Sequence, residues 1–327
     1  MSSQLHFLYN QVFVTPQLPP TSFAHQTVII TGSNTGLGLE AARHIVSQGA
    51  GKVILAVRNI TAGEAARESI ESTTQRTGVV EVWPLDLSSY ASVLAFADKA
   101  TQTLARLDVL LENAGIATEK YAQSEGHERT VTVNVISTFL LAVLLLPKLR
   151  ATASEHPEGP APRLNIVASE VHAWAKFPER KAAQIFEALD DEAAGTMGER
   201  YQTSKLLDVL LTRELADKQP DQSVVINYLN PGFCRTLLGR DSDSCAFAAM
   251  QRVLGRTSEV GSRTLVAAAA AGWESHGEYM SNGVVAPHAL SPLVTSAEGK
   301  ELQGRLWGEL EAILEVIRPG VMKGLRG

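Results

Sequence analysis

An α/β fold, in the form of a single-domain doubly wound parallel sheet with helices on both faces, is predicted by three observations. Strand and helix patterns alternate strictly through the first 230 residues, the strands are near-continuous apolar runs rather than alternating ones, and no linker or internal repeat divides the chain. Continuously apolar strands belong to sheets covered on both faces, and strand–helix alternation is how parallel neighbours are connected.

The elements read in order as follows. "HQTVIITG" is a β-branched run ending in glycine and reads as a buried strand; "LGLEAARHIVSQGA" is a helical pattern closed by Gly49. "KVILAV" is strand, "TAGEAARESIEST" helix, "GVVEVWPL" strand, "SYASVLAFADKATQTLA" helix and "LDVLLEN" strand. "HERTVTVNVISTFLLAVLLLPKLRA" is a long buried helix, and the polar loop "SEHPEGPAP" leads to the strand "RLNIVAS". The helix "YQTSKLLDVLLTRELADK" and the strand "SVVINYLN" bring the strand count to six, and helical segments such as "EVGSRTLVAAAAA" and "GKELQGRLWGELEAILEVI" follow. The expected organisation is a leader at 1–24 and one domain over 25–327.

Composition narrows the function classes. Of 327 residues, 45% are hydrophobic and 20% charged, as in ordinary globular proteins. A net charge of −6 without a basic run offers no footprint for nucleic acid. The two cysteines, Cys234 and Cys245, make no disulfide framework and lack the clustering of a metal site. The first residues lack the basic start and unbroken apolar core of a secretory signal, and the most apolar run, Phe139 to Pro147, is less than half of a membrane span. No membrane span and a cytoplasmic location are therefore expected.

"TGSNTGLG", Thr31 to Gly38, joins the first strand to its helix. Gly32 lets the chain turn tightly, Gly36 lets backbone approach a pyrophosphate, and Gly38 lets helix and strand pack closely. The helix N-terminus offers free N–H groups and partial positive charge to phosphates. Opening the first strand–helix unit of such a sheet, this turn points to a dinucleotide site. The second strand ends in Arg58, where NAD-binding domains usually carry an acid for the ribose. Arginine meets a 2′-phosphate with a charge-assisted contact, which favours NADP(H); a solvated arginine with mixed cofactor use is the other reading.

With these pieces in order, the chain resembles the short-chain dehydrogenase/reductase family, a Rossmann-fold family, and within it the retinol-dehydrogenase-like branch and fungal natural-product reductases. The motifs "TGSNTGLGLEAARH", "LDL", "NAG", "VNV", "YQTSK" and "NPGFCRT" occur in the family's order from about His25 to the C-terminal helix. The resemblance implies cofactor contacts at Gly32, Ser33, Asn34, Gly36, Leu37 and Gly38. It implies that Asp86, with Leu87 beside it, bonds the adenine amino group, although Asp86 also reads as a helix N-terminal aspartate. Asn113, with Gly115, would lie beneath the adenosine ribose; Glu112 replaces the usual first asparagine there. Pro231, Gly232 and Thr236 would line the nicotinamide.

The implied catalytic set is Asn134, Ser169, Tyr201 and Lys205, with Tyr201 and Lys205 also touching cofactor. Where the family has a Ser-Ser pair this chain has Ala168 and Ser169, leaving one hydroxyl at the site. Asn134, polar within a buried helix, needs a partner, and the family supplies a water leading to Lys205. Tyr201 and Lys205 at i,i+4 share one helix face, a spacing that also recurs on solvated surfaces. A cation about 4 Å from the phenol would stabilise phenolate by roughly 4 kcal/mol at an effective dielectric of ~20, at most about three pKa units below the usual ~10.

The expected activity is NADPH-dependent reduction of a lipophilic ketone or aldehyde, with Tyr201 as proton donor. The rivals are an NADP-dependent alcohol dehydrogenase acting on retinoid- or steroid-like substrates and a non-catalytic nucleotide sensor. The sensor is disfavoured because all four catalytic positions are kept, and no G-x-S-x-G elbow supports a serine hydrolase. The long stretch 170–200 between Ser169 and Tyr201 reads as a substrate-side insertion with a helical run around Lys181 to Leu189. Trp174 and Phe177 would either wall the substrate or pack on that helix. Region 237–256, containing "SCAFAAMQRVL", reads either as a mobile substrate lid or as a plain amphipathic helix. The apolar faces of "STFLLAVLLL" and of the Tyr201 helix are candidates for a homodimer contact.

Overall fold

The computed structural model describes residues 3–193, 197–219, 223–236, 238 and 251–325. All six expected strands form: β1 (Thr27–Thr31), β2 (Lys52–Val57), β3 (Val80–Pro84), β4 (Val109–Glu112), β7 (Arg163–Val167) and β8 (Val225–Asn230). A two-residue hairpin, β5 (Gln123–Ser124) and β6 (His127–Glu128), stands apart from them. β9 (Tyr279–Ser281) extends the parallel sheet, and β10 (Val284–Val285) closes its edge antiparallel. The turn between those last two strands is Asn282-Gly283 with φ of 54° and 85°, the double positive φ of a type I′ hairpin.

The sheet order is β10-β9-β8-β7-β4-β1-β2-β3. The chain winds outward from β1 to β3, then returns to β4 on the other side of β1. This reversal opens a crevice beyond the C-terminal ends of β1 and β4, the place where doubly wound sheets bind ligands.

Strand side chains alternate between two cores. Val28 and Ile30 join α2 (Gly36–Ser47), α3 (Ile60–Thr74) and the helix Ser258–Ala270 on one face. Ile29 joins α4 (Tyr90–Thr103), the long helix Arg129–Glu155, the Tyr201 helix (Met197–Asp217) and the C-terminal helix (Ala297–Ile317) on the other. The long helix is apolar enough to cross a membrane by length and composition, but its most apolar window is 89% buried inside the protein.

The C-terminal helix decides what that second face can do. Its Leu302, Leu306, Leu310 and Leu314 repeat every four residues and are buried in the same core as the long helix. Each fully buried leucine contributes roughly 1.5–3 kcal/mol. The turn Val321–Leu325 continues onto the long helix, where Arg150 donates to the carbonyls of Gly324 at 2.5 Å and Leu325 at 3.1 Å. The apolar surface expected to meet a second subunit is thus covered by this chain's own C-terminal segment.

The 170–200 stretch is docked on the C-terminal helix as well. Glu309 accepts from the N–H groups of Ile185 and Phe186, and Arg305 donates to the carbonyls of Arg180 and Ala182. Its helix runs Ile185–Asp190. Phe177, a candidate substrate wall, is fully buried in the core, whereas Trp174 is partly exposed.

The expected leader is packed on the domain. Helix α1 (Ser3–Phe13) is held through Gln11, which donates to the carbonyls of Phe233 and Leu254 and accepts from the N–H of Phe233. Arg256 donates to the carbonyls of Asn10 and Val14, and Phe23 is buried against β1 and α2. The expected lid at 237–256 lies outside the described residues except for Leu238 and 251–256, of which 251–254 are helical.

Candidate active site

The loops after β1, β4, β7 and β8 meet at the crevice, and one hydroxyl ties two of them together. Thr31 Oγ1 accepts from the N–H groups of both Asn113 and Ala114 at 2.9 Å, and the Asn113 amide donates to the carbonyls of Thr31 and Gly32. A Cβ on Gly38 would lie 2.7 Å from Asn113 Nδ2 and 2.8 Å from the Gly32 carbonyl oxygen, so only glycine fits under this knot. Gly36 has φ +61° and open space in front of it, with the Thr236 methyl 3.9 Å from where a Cβ would stand. Thr35 N-caps α2 without its hydroxyl taking a bond from the first turn. A cavity of about 310 Å³ lies here, lined by Thr35, Gly36, Arg235, Thr236, Gln251 and Ser258.

These features fit a dinucleotide pyrophosphate: a helix N-terminus with unused N–H groups, a glycine without a side chain in the way, and a guanidinium across the cavity. Arg58 is exposed just past β2, and Asn59 beyond it caps α3 by accepting from the N–H of Ala62. Asp86 is not the cap of α4: Ser89 takes that place, and Asp86 Oδ1 accepts from the N–H and hydroxyl of Ser88. Leu87 is buried beside it. Ser33 is fully buried with its hydroxyl donating to the Ile30 carbonyl, so its side chain faces inward; Asn34 and Leu37 are half-buried. Pro231 is buried, and Gly232 has φ +80° with Arg256 pressed against it. That arginine donates to the Pro231 carbonyl and to Asn282 Oδ1, tying the loop after β8 to α1 and the β9–β10 hairpin.

The other four residues assemble at the mouth of the crevice. Ser169 stands just beyond β7 and N-caps the short helix Glu170–Trp174. Its hydroxyl accepts from the Val171 N–H; the Ser169 side chain near Tyr201 favours the phenolate, as does the nearby Lys205 ammonium. Lys205 Nζ is 5.9 Å from the Tyr201 ring centroid. Burial outweighs both: it pushes the Tyr201 hydroxyl above its ordinary value, with Asp208 and Cys234 adding to the rise. The net fall anticipated from the lysine alone is therefore reversed. The phenol is held in its protonated form.

Asn134 lies in a π-helical segment, Thr132–Ile136, that bulges the long helix, a distortion frequent at functional sites. Its side-chain amide is engaged by protein groups. Oδ1 accepts from the Ile116 N–H at 2.8 Å, and Nδ2 donates to the Ile116 carbonyl and to Ser204 Oγ at 2.9 Å. Ser204 in turn donates to the Tyr201 carbonyl, so Asn134 braces the backbone of the tyrosine. Gly115 backs this group, since a Cβ there would sit 3.3 Å from Asn134 Oδ1 and 3.8 Å from Lys205 Nζ.

Several neighbours escaped the sequence reading. Arg235 precedes Thr236 and lines the cavity, a position readable from its motif. His172 follows Ser169 by one turn of the short helix; its Nδ1 meets the Ser169 carbonyl at 2.7 Å and its Nε2 accepts from the Ser291 N–H at 3.2 Å. Asp208, one turn beyond Lys205, bonds it at 2.9 Å. Arg256 gave no local signal at all. Among the described residues no group of His, Cys, Asp or Glu could hold a metal ion.

Comparison with known proteins agrees with this architecture. Residues 26–159 match the family described as short chain dehydrogenase. The short chain dehydrogenase/reductase dmxR8 of Cryptosporiopsis sp. is 45% identical over 322 residues, 96% of this chain and 98% of that protein. The short-chain dehydrogenase anuD of Penicillium roqueforti is 43% identical over 328 residues, covering 98% of this chain and 85% of that one. Among solved structures, the RhlG/NADP active-site complex of Pseudomonas aeruginosa shares the fold at a TM-score of 0.60 and 24% identity, covering 81% of this chain and 97% of that chain. With relatives this similar over nearly its whole length, the chain belongs to the short-chain dehydrogenase/reductase family and is an oxidoreductase.

Proposed function

We propose that the protein reduces the carbonyl of a lipophilic small molecule, an intermediate of a fungal secondary metabolite, with NADPH as cofactor. The observation that carries this reading is that Ser169 just beyond β7, Tyr201, Lys205 with its Nζ 5.9 Å from the Tyr201 ring, and Asn134 bonded through Ser204 to the Tyr201 carbonyl come together at one crevice. A protonated phenol is the form that a carbonyl reduction requires at its start.

The dinucleotide would lie with its pyrophosphate at Gly36 and the N-terminus of α2, its adenosine toward Asp86 and Asn113, and a 2′-phosphate toward Arg58. The RhlG structure is an NADP complex, which supports that choice, as does the absence of an acid after β2. When bound, the cofactor supplies hydride. Ser169 and Tyr201 orient the substrate oxygen by hydrogen bonds, and Tyr201 releases its proton to the alkoxide that develops there. The Lys205 cation stabilises the phenolate left behind, and Asn134 holds the tyrosine's helix in place.

An NADPH-oxidation screen over lipophilic ketones and aldehydes tests this function, with Tyr201→Phe as control. The variant is expected to lose at least ~10²-fold in turnover while its NADPH binding stays within about threefold. Turnover retained by Tyr201→Phe would remove the tyrosine from the mechanism.

A further inference from the structure

We propose that Asp208 is a positioning residue for Lys205, its fixed buried counter-ion, and that Glu112 stands behind the pair as a neutral carboxylic acid. Lys205 has three N–H donors on a flexible stem. Two are spent, one on the Val167 carbonyl and one on Asp208 Oδ2, both at 2.9 Å. That leaves a single donor for the Tyr201 side of the crevice. Asp208 sits one turn further along the same helix, so its carboxylate pulls the ammonium back along the helix axis and fixes where the third donor points.

The cluster is closed to water. The Asp208 and Lys205 side chains are 1% and 7% exposed, and Glu112 at the end of β4 is 3% exposed. Asp208 Oδ1 and both Glu112 oxygens have no hydrogen-bond partner among the described residues. A second unpaired carboxylate in such a place is too costly, so one of the two acids keeps its proton. Asp208 has the cation; Glu112 has burial and the Asp208 charge against it, both driving its carboxyl well above the usual range. One negative and one positive charge then cancel, and Tyr201 feels the lysine only in part, since Asp208 works against it.

The groups facing this cluster are Lys205 and Tyr201 on the same helix, Glu112 on β4 and Cys234 on the loop after β8, whose thiol burial pushes up to about 12. The inference rests on Tyr201 being the proton donor, but its deciding measurement, a titration, needs no turnover, so failure of either reading shows separately. The test is the near-ultraviolet phenolate titration of the cofactor-free protein, taken as the difference between each protein and the same protein carrying Tyr201→Phe. Asp208→Asn is expected to lower the Tyr201 midpoint by at least about one pH unit, because the lysine charge is no longer opposed. Asp208→Glu returns it to within about half a unit of wild type. Glu112→Gln, replacing one neutral group by another, leaves the midpoint in place. The alkaline limb of kcat in the screen moves with the midpoint, which a merely structural role would not produce. Should Asp208→Asn not fold, Asp208→Ser is read in the same way. An unchanged midpoint in the Asp208 variant would overturn the counter-ion role, and a fall in Glu112→Gln equal to that in Asp208→Asn would overturn the neutral acid.

Discussion

His172 is expected to make the protein's stability depend on pH in a way that a single substitution removes. The ring is 1% exposed and packs edge-on against Tyr279, with centroids 5.2 Å apart. Its two nitrogens have opposite tasks. The Ser169 carbonyl can only accept, so Nδ1 carries the proton; the Ser291 N–H can only donate, so Nε2 is bare. Charging the ring would put a second proton against that N–H. Burial therefore pulls the ring down to about 4 from 6.5, partly offset by the Ser169 carbonyl. Between those two values the unfolded chain binds a proton that the folded chain refuses. Stability from this residue is thus complete above about pH 6.5 and is lost as pH falls toward 4. The shift corresponds to roughly 3 kcal/mol, of which about 2.5 is gone by pH 4.5. Asp208, raised to about 6 by burial, has the opposite sign: the folded state holds its proton more tightly, so its contribution is lost as pH rises from the ordinary value of 3.8 through about 6. The wild-type curve alone would mix the two. Urea unfolding of wild type and His172→Gln at a series of pH values separates them, because only the histidine differs. The stability gap should shrink by about 2.5 kcal/mol from pH 7.5 to 4.5. A gap constant to within about 0.5 kcal/mol would refute the buried neutral imidazole.

Two further outcomes follow from the cofactor side. Arg58→Asp should invert the preference for NADPH over NADH, read as the ratio of KM values, by about tenfold or more, since a charge that attracts a 2′-phosphate becomes one that repels it; an unchanged ratio would exclude Arg58 from that contact. Gly38→Ala should destabilise the protein by roughly 1–3 kcal/mol and weaken NADPH binding measured by fluorescence titration, because its Cβ would press on Asn113 Nδ2 and the Gly32 carbonyl oxygen. Wild-type melting and binding in that variant would show that the knot beneath the glycine turn can relax.

Local pattern was enough for much of this molecule. The six long strands, the turn after β1 and the order of the short motifs are properties of neighbouring residues, and periodicity or turn chemistry reports them directly. The β9–β10 hairpin has one local signal, Asn282-Gly283, but the strands it joins are three and two residues long, too short to show a periodicity, and they are absent from the six strands read from the sequence. Ser169, Tyr201 and Lys205 were found through motif order, and the fold brings them to one crevice.

Tertiary structure decided quantities that depend on distant partners. Whether the apolar face of the long helix is free depends on where Leu306, Leu310 and Leu314 come to rest, more than 150 residues later in the chain. Phe177 became core because the C-terminal helix holds the stretch around it. The protonation of Tyr201 shows the division most clearly. Its spacing from Lys205 is written in the sequence, and spacing alone argues for a lowered value. Burial by the whole domain and the Asp208 charge reverse that direction. A pair interaction can be read from two residues, but a desolvation energy is a sum over everything that excludes water, and only the folded chain performs that sum.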